Sequence, residues 1–233
     1  MKLFINLIME FYYKEGLIIL LKKIVLYSVT FPLVIFNKFN KHLFNNKFIR
    51  KRSLIGFNNI FVKDLDISDE QKLTSNRFEL VDLRFVDLIS KFLDFKDQSY
   101  FKFLDIGCGS GISTIYALEK LNFRDYRGID LSKKLIEIAN INKQKIPQPE
   151  KIEFNLSDAR EVIMENKRNF IFMYNPFDEV ILKQFIVNNF KSLSKNKSII
   201  YFVNSGNLNI FDEFDVKVVH KIKFAFRISI IYF

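Results

Sequence analysis

Residues 103–111 read Phe103-Leu104-Asp105-Ile106-Gly107-Cys108-Gly109-Ser110-Gly111. An apolar run ends in an acid and opens into a glycine-rich turn. A helix-period segment follows, carrying Ile112, Ile115, Tyr116 and Leu118. Strand, turn and helix in that order build a nucleotide-sized site at the carboxyl end of a parallel strand. Glycine in the turn permits positive φ and lets backbone N–H groups approach a ligand closely. The dinucleotide fingerprint G-x-G-x-x-G would need glycine at position 112, where Ile112 stands. The pattern is instead D-x-G-x-G-x-G. A carboxylate aimed into the site repels a pyrophosphate but suits a cationic, amino-acid-like ligand.

Working outward, strands are expected over 101–106, 126–129, 152–156, 170–174 and 198–203. Helices are expected over 111–121, 132–142, near 159–165 and over 178–193, with a further helical run over 80–93 upstream. Two β runs, 214–220 and 224–232, close the chain as a hairpin. The fold class expected is α/β: a doubly wound, seven-stranded, mostly parallel sheet with a C-terminal antiparallel hairpin, plus an N-terminal helical appendage. Residues 1–66 read as a basic, apolar appendage and linker, and residues 67–233 as the main domain.

Asp130 ends the second strand, 19 residues beyond Gly111. That is close to the spacing of roughly 20 for a carboxylate that accepts ribose hydroxyls. Capping the next helix is the other role open to it, though Ser132 is placed for that. Asp158 stands at the end of the third strand, where a helix cap is an equal possibility. Asn175-Pro176 ends the fourth strand, and a plain Asn-Pro turn would account for it. Asp178 and Glu179 suit the first turn of the helix that follows, where acids favour the dipole. No residue stands out as a general base.

The stretch Leu104 to Gly111 resembles the first motif of the class I S-adenosylmethionine (SAM)-dependent methyltransferases, whose cofactor carries an ammonium and a sulfonium. The resemblance implies SAM held by Asp105, Gly107, Cys108, Gly109 and Gly111. It implies Asp130 on the ribose, Leu131 on the adenine, and Asp158 with Ala159 beside the adenine amino group. Met173-Tyr174-Asn175-Pro176-Phe177 partly resembles the N-P-P-Y/F motif of amino-group methyltransferases, with one proline absent. There the Asn and a backbone carbonyl grip the target nitrogen. Asn175 is thus the candidate catalytic residue, orienting an acceptor bound with Tyr174, Pro176 and Phe177. A basic N-terminal helix, Asn76-Arg77-Phe78-Glu79 and Asn-Pro-Phe in that order resemble a bacterial subgroup of these enzymes. Arg77 and Phe78 would close over the SAM carboxylate or the substrate, or simply cap the sheet.

Composition bounds the rest. About half of the 233 residues are apolar, enough for a real core. The 28 Phe and four Ala fit the codon bias of an AT-rich genome and carry no function. Cys108 is the only cysteine, which excludes an intrachain disulfide, and its place in the turn suits a small filler. His42 and His220 are far apart, which argues against a zinc site. Of the net charge of +10, +9 lies in residues 1–63. The remainder is nearly neutral, which argues against nucleic acid as the substrate.

In the first 36 residues, Lys2, Asn6, Glu10 and Lys14 form one polar stripe, leaving a broad apolar face. The uninterrupted run 24–36 is 13 residues with Pro32 inside it, short of the about 20 needed to span a bilayer. A secretory signal is also a poor fit, because no Ala precedes Ala117. An interfacial amphipathic helix followed by Lys38, Lys41, Lys47, Arg50, Lys51 and Arg52 fits better, so residues 1–52 are expected to touch anionic headgroups. Packing on the main domain or dimerisation are the alternatives. The expectation is therefore a cytoplasmic methyltransferase, peripheral at the inner face of the membrane. It would act on a small-molecule, lipid-linked or protein acceptor through a nitrogen. A SAM-binding scaffold or regulator, and more weakly an NAD-dependent oxidoreductase, are the rivals.

Overall fold

Apolar runs alternating with amphipathic segments fold as alternating strands and helices. The computed structural model describes residues 35–56, 59–76, 78–204, 208–223 and 226–233. The expectations for residues 1–34 and for Arg77 lie outside these. The chain divides into two units, Met1–Asn40 and Lys41–Phe233. The second begins inside the stretch that the sequence reading assigned to the appendage.

A small antiparallel ribbon, β1 (Asn59–Ile60) with β2 (Phe78–Glu79), precedes the main sheet. The main strands are β3 (Lys102–Ile106), β4 (Tyr126–Asp130), β5 (Ile152–Leu156), β6 (Asn169–Tyr174), β7 (Ile199–Val203), β8 (Lys217–Lys223) and β9 (Phe226–Tyr232). Their order is β5-β4-β3-β6-β7-β9-β8. β3 to β7 pair in parallel, whereas β9 runs antiparallel to both β7 and β8. The expected doubly wound sheet with a terminal hairpin is what the chain forms. The strand order reverses between β3 and β6, and the crevice beyond those two strand ends is where such sheets bind ligands.

The central strands are covered on both faces, which explains their near-continuous apolar sequence. Phe103, Tyr126, Phe170, Phe172 and Tyr201 lie in one buried cluster. Their rings stack across neighbouring strands, with Phe103 to Phe172 at 6.0 Å and Phe172 to Tyr201 at 5.9 Å between centroids. Each pair of this kind adds about 0.5–1.5 kcal/mol beyond the area buried. The opposite face presents Leu104, Ile106, Ile129, Ile171, Met173 and Ile200 to a second cluster with Leu182, Phe185 and Ile186.

The first face is covered by the helices Ile112–Lys120 and Lys133–Lys143 and by the end of a helix over 35–51. Phe48 and Leu54 are buried there among the sheet residues. Asn45 donates through Nδ2 to the Val81 carbonyl at 2.7 Å and accepts from the Leu83 amide at 3.1 Å. That contact corrects one expectation. The helical run over 80–93 is not continuous: α-helix covers only Arg84–Asp87, and a 3-10 turn follows over Leu88–Lys91. The Asn45 amide holds the backbone groups that would have started the helix earlier.

The second face packs on the helix Glu179–Lys195, with Asp178 as its N-cap accepting from the Ile181 amide at 3.0 Å. The helix expected near 159–165 shrinks to a 3-10 turn, Ala159–Glu161. Asn189 is the reason: its side chain takes the Met164 amide at 2.6 Å and the Val162 carbonyl at 2.7 Å, so neither can close a further helical turn. No helix among the described residues is long and apolar enough to cross a membrane.

Candidate active site

The glycine turn leaves β3 at the topological switch point. Gly107, Gly109 and Gly111 have φ of 76°, 54° and 76°, the left-handed region that favours glycine. The turn is tied to the neighbouring strand by the amides of Gly107 and Cys108, which both donate to the Ile129 carbonyl at 2.9 and 3.0 Å. Space is restricted as well as conformation. A Cβ at Gly107 would lie 2.6 Å from Pro176 Cβ, and one at Gly109 would run into the ring of Phe78.

Asp105 is buried under this turn. Its Oδ2 accepts from Ser113 Oγ at 2.6 Å and Thr114 Oγ1 at 2.8 Å, both at the start of the next helix. Burial pushes its carboxyl up to about 6, against the pull of those two hydroxyls. Asp130 spans the mouth of the turn. Its Oδ2 accepts from the Gly109 amide at 2.8 Å and its Oδ1 from the Ser132 amide at 2.9 Å. Burial raises this carboxyl too, although both amides oppose the shift. Ser132 is the N-cap of its helix, accepting from the Leu135 amide at 3.2 Å. The Cys108 thiol is buried and burial pushes it well above its usual value, which fits a filler in the turn.

Asp158 caps its 3-10 turn through the Arg160 amide at 2.9 Å and is gripped by the Arg160 guanidinium at 2.6 Å. Burial alone would raise Asp158, but Arg160 outweighs it and holds the carboxyl below its usual value. One cleft of about 1000 Å³, open to solvent, is lined by Asp105, Gly107, Asp130, Leu131, Asp158 and Ala159. Tyr174, Asn175, Pro176, Phe177 and Phe78 line the same cleft. The described candidates are thus brought together, except that Gly109 and Gly111 support the turn from outside the lining.

The acceptor loop has a partner that sequence reasoning missed. Asn175 has φ of 43°. Its carbonyl accepts from Asn76 Nδ2 at 3.0 Å, and the Pro176 carbonyl accepts from the Asn76 amide at 3.2 Å. Thr74 accepts from the Asp178 amide at 3.0 Å, and Ser75 bridges Phe177. Segment 74–76 is therefore stitched to 175–178 as a short antiparallel pair. The N-P-P-Y/F resemblance implied a backbone carbonyl for the acceptor; here Asn76 engages the carbonyls of both Asn175 and Pro176.

Two more residues were missed. Asp66 accepts from Ser132 Oγ and, at 2.8 Å, from the Lys134 amide, so it braces the helix beside Asp130. Gln71 lines the cleft from the helix Asp69–Thr74, whose capping box with Ser68 is complete. The spacing Ser68-x-x-Gln71 is a legible helix start; Asp66 gives no such signal.

The site fits SAM on its donor set: the carboxylates of buried Asp105 and half-buried Asp130 suit an ammonium and ribose hydroxyls, and the glycine turn lets the backbone approach a ligand closely. A family model described as a methyltransferase domain matches residues 97–223, more than half of the chain, and the chain belongs to that family. It is a class I, SAM-dependent methyltransferase. No curated protein sequence matches it. Among solved structures, it is similar to a Methanococcus maripaludis protein assigned as a SAM-dependent methyltransferase, with TM-score 0.51, 16% identity, and coverage of 64% of this chain and 83% of that one. A Burkholderia thailandensis O-methyltransferase family protein gives TM-score 0.50, 11% identity, and 64% and 55% coverage. A Listeria monocytogenes protein assigned as an N6-adenine-specific DNA methylase gives TM-score 0.50, 14% identity, and 65% and 51% coverage. At these identities the likeness concerns the fold.

Proposed function

We propose that Asp105, Gly107, Cys108, Gly109 and Gly111 hold the amino-acid end of SAM, Asp130 its ribose, and Leu131, Asp158 and Ala159 its adenine. Bound there, SAM supplies an activated methyl group: the acceptor forms a bond to that carbon as the C–S bond breaks, with the electron pair going to sulfur. The chain has to position the acceptor and exclude water. Asn175 orients the acceptor, with Tyr174, Pro176, Phe177 and Phe78 around it. Arg77 stands beside Phe78 in sequence and joins this group. The observation that carries the reading is the pair of carboxylates, buried Asp105 and half-buried Asp130, at opposite ends of one glycine turn in one cleft.

Charge-assisted hydrogen bonds contribute about 1.5–3 kcal/mol. Asp130→Ala is therefore expected to weaken SAM binding by tenfold or more in calorimetry, measured at a temperature well below its unfolding midpoint. Unaltered affinity would overturn the assignment of Asp130. Release of S-adenosylhomocysteine with any acceptor separates an enzyme from a scaffold.

We also infer that the N-terminal region rests on an anionic membrane at the cytoplasmic face. Support comes from Ile35, Phe36 and Phe39, exposed on a helix, and from the complete absence of Asp and Glu between Gly16 and Lys63. The full chain is expected to float with phosphatidylglycerol vesicles at low salt and to be released by 0.5 M salt, where the Debye length has shrunk to roughly half its value of about 10 Å at 0.1 M. Equal flotation with neutral vesicles would contradict the electrostatic part.

A further inference from the structure

We propose that the ring of Phe78 lies against the sulfonium of the bound donor, and is the side chain by which this chain tells SAM, with its positive sulfur, from the neutral product S-adenosylhomocysteine. This rests on the methyltransferase reading of the cleft and deepens it.

The position follows from the covalent order of the donor. In SAM the sulfur joins the amino-acid side chain to the ribose. With the ammonium assigned to Asp105 and the ribose to Asp130, the sulfur has to cross the glycine turn between them. Gly109 stands at the ribose end of that turn, its amide donating to Asp130 Oδ2 at 2.8 Å. A Cβ placed on Gly109 would run into the Phe78 ring, and Phe78 lines the same cleft. The ring therefore faces whatever crosses the turn beside Asp130, where donor and acceptor meet. It is held there from two sides. β2 pairs with β1, setting Phe78 opposite Ile60. Two residues earlier, Asn76 donates to the carbonyls of Asn175 and Pro176.

The chemistry of the sulfur calls for a ring. A sulfonium has no N–H or O–H to offer, so a carboxylate or carbonyl gains no such hydrogen bond from it. The negative face of an aromatic ring attracts a cation of this kind. The other carboxylates that line the cleft have partners of their own. Asp105 accepts from Ser113 and Thr114, Asp158 from the Arg160 guanidinium, and Glu79 from Lys41 at 2.7 Å. The other rings in the lining are also engaged. Phe172 is buried in a stack with Tyr201, Phe177 packs on the second cluster, and Tyr174 has Lys41 Nζ 5.8 Å from its centre. Phe78 is the ring that reaches the turn. An attraction of this kind changes affinity by roughly threefold to thirtyfold. It acts on the charged donor and vanishes once the methyl group has left, so it favours the exchange of spent cofactor for fresh SAM.

The test measures affinity by calorimetry for three ligands of similar shape: SAM, S-adenosylhomocysteine, and sinefungin, in which a carbon bearing an ammonium replaces the sulfonium. The full chain is used as wild type, Phe78→Leu and Phe78→Tyr. In Phe78→Leu, SAM and sinefungin are expected to lose roughly threefold to thirtyfold relative to S-adenosylhomocysteine, whose own affinity reports that the seat is intact. Phe78→Tyr keeps a ring and is expected to hold the wild-type ratio within about twofold. Phe78→Ile takes the place of Phe78→Leu if the latter does not fold. An equal fall for all three ligands would mean that the ring only shapes the seat, and overturns the proposal. So does an unchanged ratio in Phe78→Leu, a ratio lost in Phe78→Tyr as well, or sinefungin behaving like S-adenosylhomocysteine. Failure of wild type to bind any of the three would instead overturn the reading of the cleft, and this inference with it.

Discussion

Asp105 shows how one buried side chain ties stability to function. Its carboxyl titrates near the ordinary value of 3.8 in the unfolded chain and at about 6 in the fold, because burial penalises the charge. Below pH 4 both states carry the proton, and the contribution to stability is complete. Between pH 4 and 6 the unfolded chain releases its proton first, so stability falls as pH rises and levels off above 6. The loss is on the order of 3 kcal/mol. Asp130, also raised by burial, adds in the same direction. Denaturant midpoints measured from pH 4 to 7 should fall more steeply for wild type than for Asp105→Asn, whose amide oxygen still accepts from Ser113 and Thr114. A cationic ligand favours the ionised carboxylate, so SAM affinity is expected to rise across the same window and to depend less on pH in Asp105→Asn, where Asp130 alone still titrates. Calorimetry in two buffers of different ionisation heat would detect the proton released on binding below pH 6.

Several elements are held in place by single buried amides, and here the sequence was least legible. Asn142, fully buried, donates through Nδ2 to the carbonyls of Ile55 at 2.9 Å and Ser110 at 3.0 Å, and accepts from the Ile55 amide at 2.7 Å. It joins the helix Lys133–Lys143 to the glycine turn and to the segment entering the domain. Asn142→Ala strands three backbone groups and is expected to cost about 3 kcal/mol or more. That corresponds to a fall of roughly 6–12 °C in melting temperature for a chain of this length, measurable by circular dichroism. Asn45 and Asn189 act in the same way, and they are why the two expected helices over 80–93 and 159–165 came out short. Periodicity reports which face of a segment is apolar. It does not report that a side chain dozens of residues away will claim that segment's backbone groups. The strands were legible because burial on both faces leaves an unbroken apolar run, and the glycine turn because its backbone demands glycine. The Asn76 contacts with the acceptor loop were not, because they join positions about a hundred residues apart.

Across the chain, the charge map and the contact map divide at different points. Basic charge runs to Lys63, whereas the compact unit begins at Lys41. Phe48 and Leu54 belong to the sheet's own cluster, and Arg52 pairs with Glu119 at 2.8 Å. A chain starting at Lys41 is therefore expected to unfold in one transition and to bind SAM. A chain starting at Phe57 loses two core side chains and the Asn45 and Ile55 contacts. It is expected to be destabilised by more than about 4 kcal/mol, seen as a collapsed or absent denaturation midpoint. Similar midpoints for the two would mean that residues 41–56 only decorate the domain. At the far edge of the sheet, β8 is mostly exposed and carries Lys217, Lys221 and Lys223, a charged edge that discourages strand pairing with another molecule.

The stitching of segment 74–76 to the loop 175–178 reaches further than either piece. Phe78, whose ring meets the glycine turn, stands three positions after Ser75, so one short strap touches the donor's seat at one end and the acceptor's at the other. Two substrates sharing such a strap do not arrive independently. A donor seated under Phe78 holds the strap from one end, so the acceptor is expected to dock best on a strap that already has its donor. Steady-state kinetics should accordingly show a compulsory order. S-adenosylhomocysteine would compete with SAM but act non-competitively against the acceptor, and the methylated product would be the first to leave.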